Sequence, residues 1–403
     1  SSSSTASRPV LSSLRELLYR FRSARPLGAM GCCQSSVAPP ETPEARSRYK
    51  KIYEKWEHMR EPAIEVSSKM EENWQFFKGP ELEALMDDLG LIDLAFLIDC
   101  IKAGVPLPRQ QEVPKGAIIA KDNLVKIKGG CGYGLAILVL SYPWRAKGHP
   151  DPNQLTCKRL LNVLKMFLKT AKKKGEHFTM GVMWDYLVLP QKKIDGTDDR
   201  TEAQKAKFGR ALHTMNSWYM DHRTYVLVFD VEIDDPRPYL ARGWCQFELR
   251  ASGLIKDCRC LWSLAGYEAG GSPNEYYDVR EAATCGASRK PPMAPPAFAE
   301  MLHEGSRTGT ITFTAGKADL DVVVKQYELA FAGALKKTKT LDFRFLGWSD
   351  EEIKELARAL TYAKEKGFLN DTEDLNIQGN HHTPGGRAAL QLAIKGTDIK
   401  LRE

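Results

Sequence analysis

The chain has 403 residues, 43% hydrophobic and 27% charged, an ordinary globular balance with room for two or three domains. No run of about 18 apolar residues is present to cross a membrane, and nine irregularly spaced cysteines without a CxxC pair argue against a zinc ribbon or a secreted disulfide framework and for a reducing, intracellular setting. The formal net charge is +7, but residues 1–29 carry +4 of it (Arg8, Arg15, Arg20, Arg22 and Arg25 against Glu16), so the remaining +3 offers no nucleic-acid surface.

The first methionine is Met30, and MGCCQSS follows. Translation from Met30 exposes Gly31 in an M-G-x-x-x-S pattern, the acceptor for myristate. One such chain binds membranes weakly, and palmitate on Cys32 and Cys33 makes the anchor stable. The protein is then expected on the cytoplasmic face of a membrane. The alternative keeps residues 1–29, which are rich in Ser and Arg, nearly free of acid and amphipathic around 11–21, as an organelle transit peptide. Acylation is the favoured reading.

Residues 1–45 read as a disordered segment with a Pro/Ser-rich linker, and 46–129 as a helical region without evident chemistry. Between 130 and 265 a regular alternation begins. LAILVLSY (135–142) is a buried strand and 155–174 an amphipathic helix. Lys169, Lys172, Lys173 and Lys174 close that helix, where cations suit its dipole. A second strand is expected at 180–189, a helix at 200–222, a third strand at 224–232, a helix at 242–256 and a fourth strand at 258–264. This order predicts an α/β fold with a doubly wound, mainly parallel sheet. Ligand sites in such sheets form at the carboxyl ends of the strands.

Residues 266–296 read as a Pro/Gly-rich loop and 297–338 as a helical connector with a strand-like run at 309–316. In 339–403 two strand-plus-helix units and the start of a third repeat with a 34-residue period, Leu341 to Leu375. The tandem His381-His382 lacks a third ligand at helical or hairpin spacing, so no metal site is expected. Cys258 and Cys260, alternating on the expected fourth strand, point to the core.

RGWCQFEL (242–249) poses the sharpest chemical question. At about 100° per residue, Trp244, Phe247, Ala251, Leu254 and Ile255 share an apolar side, with Glu248 at its edge. A carboxylate turned toward a core is costly unless it is paired, hydrogen-bonded or used. One solution is an ion pair with Arg242 or Arg145. The other is function.

Three segments carry a resemblance. ILVLSYPW (137–144) resembles the opening of fungal heterokaryon-incompatibility (HET) domains. MWDYLVLPQ (183–191), followed by Glu202, Met215 and Tyr219, resembles the next block of that family. RGWCQFEL resembles the third block, and is also similar to the WCxxEL helix of Toll/interleukin receptor (TIR) domains. Arg145 replaces a family glycine, and Leu187–Pro190 replace a cysteine-containing segment, so the chain is identified as a HET/TIR-like relative. The C-terminal units resemble ribonuclease-inhibitor-type leucine-rich repeats, too few to stand alone as a solenoid.

The resemblance implies a flavodoxin/TIR-like sheet with flanking helices and a short leucine-rich repeat tail, in a signalling or innate-immune defence protein. It implies an NAD glycohydrolase with Glu248 as its catalytic carboxylate, which stabilises an oxocarbenium-like ribosyl cation without metal or other cofactor. Trp144 or Trp244 would stack on a ring of NAD and Arg145 would contact phosphate, while Ser141, Tyr142 and Asp185 would reach the ribose. The alternative is a non-catalytic scaffold that self-associates and binds a protein partner through its repeats, since many TIR-type domains only assemble.

Overall fold

The computed structural model describes residues 42–403, apart from 60, 61, 147, 233–236, 272–274, 288 and 315. The possible acylation site at Gly31, Cys32 and Cys33 and the alternative transit segment lie outside the described residues.

The centre is a mixed six-stranded sheet in the order β2-β1-β4-β3-β5-β6. Its strands are β1 (Leu91–Asp93), β2 (Ile118–Ile119), β3 (Ile137–Ser141), β4 (Gly181–Met183), β5 (Tyr225–Val228) and β6 (Leu261–Ser263). The last four run parallel, while β1 pairs antiparallel with both β2 and β4. The sheet is therefore mixed rather than mainly parallel throughout, because it draws two strands from the segment read as helical. Asp93 ends β1 and caps the next helix, its Oδ1 accepting the Ala95 N–H at 2.9 Å.

Helices flank the sheet. In chain order they are α1 (Pro43–Glu57), α2 (Ser68–Phe76), α3 (Leu94–Lys102), α4 (Leu155–Lys172), α5 (Glu202–Thr214), α6 (Asn216–Met220), α7 (Gly243–Ser252) and α8 (Tyr276–Ala287), of which α3 packs on β1, α7 on β3 and α8 on β6. Phe167 of α4 and Tyr276 of α8 close on Tyr225 of β5 and Trp262 of β6, with ring centroids 5.0 to 6.3 Å apart. A second group, α6, α7 and α10 (Lys317–Lys336), packs together and α7 lies against β3.

Several elements depart from the sequence pattern. The second strand stops at Met183, and Asp185–Val188 forms a helical turn. The Trp184 carbonyl accepts from Leu187 and Val188 there, which ends the ladder. The helix expected at 200–222 breaks into α5 and α6. Cys258–Cys260 is a 3-10 turn before β6, with Cys260 buried and Cys258 half-buried, so the two do not alternate on a strand. The stretch read as a loop holds the short helix Leu264–Ala269 and α8. Gly266 permits their close crossing, since a Cβ there would lie 2.5 Å from the Ala282 carbonyl oxygen. The described residues of 309–316 form no strand, only a bridge from Thr312 to Arg242.

Beyond α9 (Pro295–Thr308) and α10, the chain forms a second, three-stranded parallel sheet of β7 (Thr340–Asp342), β8 (Asp374–Asn376) and β9 (Lys400–Arg402). Its helices are α11 (Asp350–Glu365) and α12 (Pro384–Ile394). Leu341 pairs with Leu375, so the 34-residue period is a strand register. Arg289 ties this sheet to the end of α7. Buried, it donates to the carbonyls of Gly253 (2.8 Å), Leu254 (3.1 Å) and Asp342 (2.6 Å) and lies over the Phe343 ring. Arg250 of α7 adds an ion pair to Glu355 of α11 at 2.9 Å.

Candidate functional site

β3 is a run of five fully buried residues that ends at Ser141, two residues before Pro143, whose missing N–H cannot continue a ladder. α7 starts where Gly243 donates its N–H to the Thr312 carbonyl at 3.0 Å. A side chain at Gly243 would collide with the Phe313 ring, 1.9 Å from an added Cβ. The helix is thereby pinned over the end of β3, and Glu248 faces Ser141.

Ser141 Oγ donates to Glu248 Oε2 at 2.5 Å. Tyr239 lies 2.5 Å from the same Ser141 hydroxyl and 3.2 Å from the Cys245 carbonyl. Tyr219 donates to the Leu140 carbonyl at 3.1 Å and also hydrogen-bonds Glu248. A tyrosine hydroxyl has one proton to give. If Tyr219 gives it to Leu140, Glu248 must be the donor between them. A protonated Glu248 completes a chain from Tyr239, whose one proton is shared between Ser141 Oγ and the Cys245 carbonyl, through Ser141, Glu248 and Tyr219 to the Leu140 carbonyl.

The electrostatics agree. Burial pushes the Glu248 carboxyl up to about 8 and nearby Asp185 raises it further, while the hydrogen bonds that Ser141 and Tyr219 give to the ionised carboxylate only partly oppose this. Asp185 is itself raised by burial, against the bonds it accepts from the Tyr142 hydroxyl (2.8 Å), the Trp144 indole N–H (2.9 Å) and the Tyr186 N–H (2.7 Å). Cys245 is raised by burial, which keeps it a thiol and not a nucleophilic thiolate.

No ion pair to Glu248 occurs among the described residues. The expected ion pair with Arg242 or Arg145 is replaced by hydroxyl partners, and Arg242 Nη1 donates instead to the Trp144 carbonyl at 2.7 Å. Glu248 is 9% exposed. Surface depressions of about 520 and 510 Å³ are lined by other residues, around Met301 and around Lys169.

The structure thus brings Ser141, Tyr142, Trp144, Asp185 and Glu248 together at the carboxyl ends of β3 and β4, with Ser141, Tyr142 and Glu248 buried and Trp144 and Asp185 half-buried. Trp144 spends its indole N–H on Asp185 and sets its ring edge-on to Tyr186, at 5.7 Å. Trp244 is half-buried, its ring edge-on to Phe247 at 6.2 Å. Sequence reasoning missed Tyr239, which sits on a 3-10 turn with no periodic signal. It gave no role to Tyr219, although that residue stood in the second matching block. Among the described residues no group of His, Cys, Asp and Glu is arranged to hold a metal, and His381 is engaged through its N–H with the Trp348 carbonyl.

Comparison of the chain with protein-family models, with curated proteins and with solved structures gave no match.

Proposed function

We propose that this chain is an intracellular signalling or defence protein whose HET/TIR-like domain hydrolyses NAD at the nicotinamide–ribose bond, from a site held closed in the resting chain. The observation that carries the reading is the pair of interacting carboxyls at the strand ends, Glu248 buried and Asp185 half-buried, both raised by burial and held by hydrogen bonds rather than ion pairs among the described residues. Groups perturbed by desolvation together with a specific charged neighbour concentrate at functional sites.

The strand order supports a doubly wound, flavodoxin/TIR-like reading of the parallel part. Its first strand, β3, lies between the second and third, β4 and β5. The order reverses between β3 and β5, and Glu248 hydrogen-bonds the last residue of β3.

In this proposal the protonated Glu248 belongs to the closed state. The pyridinium of NAD brings a positive charge that favours the ionised carboxylate. The ionised Glu248 then stabilises the ribosyl cation as the C1′–N bond breaks, nicotinamide departs with the bonding electrons, and water adds to C1′ with loss of a proton. Asp185, Tyr142 and Ser141 line the ribose side, Trp144 or Trp244 the ring side, and Arg145 the phosphates. Displacing Trp144 removes one of the three donors to Asp185.

The C-terminal strand-and-helix units, with their 34-residue register, support a leucine-rich-repeat reading and a protein partner. The MGCC motif supports acyl anchoring at Gly31, Cys32 and Cys33 on the cytoplasmic face. The transit peptide stands as its alternative.

A second reading is favoured by the burial of Glu248: a non-catalytic scaffold in which the hydroxyl chain only ties α7 to β3 and the domain self-associates. Purified full-length protein incubated with NAD, alone and after forced clustering, separates the two. Nicotinamide release that disappears in Glu248→Gln supports the enzyme, and its absence under both conditions supports the scaffold.

A further inference from the structure

Five lysines from two helices line one depression of about 510 Å³: Lys102 of α3, and Lys165, Lys169, Lys172 and Lys173 of α4. Spacings of four, three and one residues put the α4 lysines on one side of that helix. The helix dipole accounts for cations in the last turn of α4. It does not account for Lys165, two turns earlier, nor for the meeting of this helix end with Lys102, the last residue of α3. Ile98 and Leu168 form the apolar floor between them. Two carboxylates oppose the five charges: Glu275 pairs with Lys169 at 2.8 Å, and Glu176 lies 3.6 Å from Lys172. Three positive charges remain, as many as the whole chain after residue 29 carries net.

We propose that this lysine face of α3 and α4 docks on an anionic phospholipid bilayer. Charge complementarity is the first ground. Clustered lysines gain about 1 kcal/mol each near an anionic leaflet, and a basic patch is the usual second signal that a single acyl chain needs. The second ground is chain length. α1 packs on α3 through Lys55–Asp99 (2.6 Å) and the rings of Trp56 and Phe96, and Gly31 precedes α1 by twelve residues. Twelve residues span at most about 40 Å, which bounds the length of tether between an acyl group at Gly31 and the start of α1. The tether rests on the acylation reading above, whereas lipid binding by the lysines needs no acyl chain.

The test uses full-length protein made without acylation and vesicles of phosphatidylcholine with or without phosphatidylserine. A variant with all five lysines replaced by Gln is compared with one carrying Arg at the same positions. At about fivefold per charge, the three charges that remain after the two carboxylates are subtracted set a lower bound on the order of 100-fold for the loss of partition onto phosphatidylserine vesicles when all five lysine charges are removed in the Gln variant. The Arg variant should bind as wild type, and high salt should release both. Residues 1–29 are common to all and cancel. Partition within twofold of wild type for the Gln variant overturns the proposal, as does equal binding to neutral vesicles. So does lysine-dependent binding to an acidic protein or a nucleic acid with none to phosphatidylserine. Gly31→Ala, tested in cells, addresses the acyl anchor separately and should leave vesicle binding by the unacylated protein unchanged.

Discussion

Replacing Glu248 with Gln should change how stability depends on pH more than it changes stability itself. The folded carboxyl titrates near 8 and the unfolded one near 4.5. Between these values the folded chain holds a proton that the unfolded chain has lost. This contribution is therefore complete below about pH 4.5 and disappears as pH rises through about 8. At about 1.4 kcal/mol per pH unit, wild type should lose about 4 kcal/mol from this group between pH 5 and pH 8. Gln keeps the shape of the protonated acid. Its amide can donate to Tyr219 and its oxygen can accept from Ser141, so the hydroxyl chain survives. The assay is denaturant unfolding of both proteins across this range, read as their difference so that shared titrations, including that of Asp185, largely cancel. The variant should gain on wild type steadily with pH. Stability curves that stay parallel within about 1 kcal/mol would refute the assignment of a buried, protonated Glu248.

Two further perturbations test the same frame. Tyr239→Phe removes the hydroxyl that starts the chain and should cost about 1 kcal/mol at pH 5 and pH 8 alike; no loss in unfolding midpoint would remove Tyr239 from the network. Arg289→Met leaves the carbonyls of Gly253, Leu254 and Asp342 without their donor, with an expected cost of about 3 kcal/mol and faster proteolysis of the C-terminal sheet. A loss below about 1 kcal/mol would show that other contacts hold that sheet to α7.

The parts of the fold that were legible in the sequence are those where local pattern and tertiary burial agree. β3 is apolar throughout because both its faces are covered, and α4 shows the amphipathic period of a helix with one buried side. β1 was hidden because Leu91–Asp93 continues directly into α3 and both are almost wholly buried, so no change of period marks the join. α8 was hidden by its neighbours: the glycines before it read as loop, yet Gly266 serves close helix packing.

The site divides in the same way. Ser141, Tyr142, Trp144, Asp185 and Glu248 were named from their segments, and they meet. Their mutual bonds were not legible, because Glu248 finds its partners 107 residues away at Ser141 and, through that serine, at Tyr239. The guanidinium partner suggested by Arg242 follows from charge alone. In the fold that side chain is drawn instead to the Trp144 carbonyl.

The most direct test of the central claim is nicotinamide release from NAD by the clustered full-length protein, measured beside Glu248→Gln at pH 7. Wild type should turn NAD over and the variant should lose about 100-fold or more, the scale of removing a group that stabilises transition-state charge. No turnover by clustered wild type, or equal turnover by the two proteins, would contradict the claim.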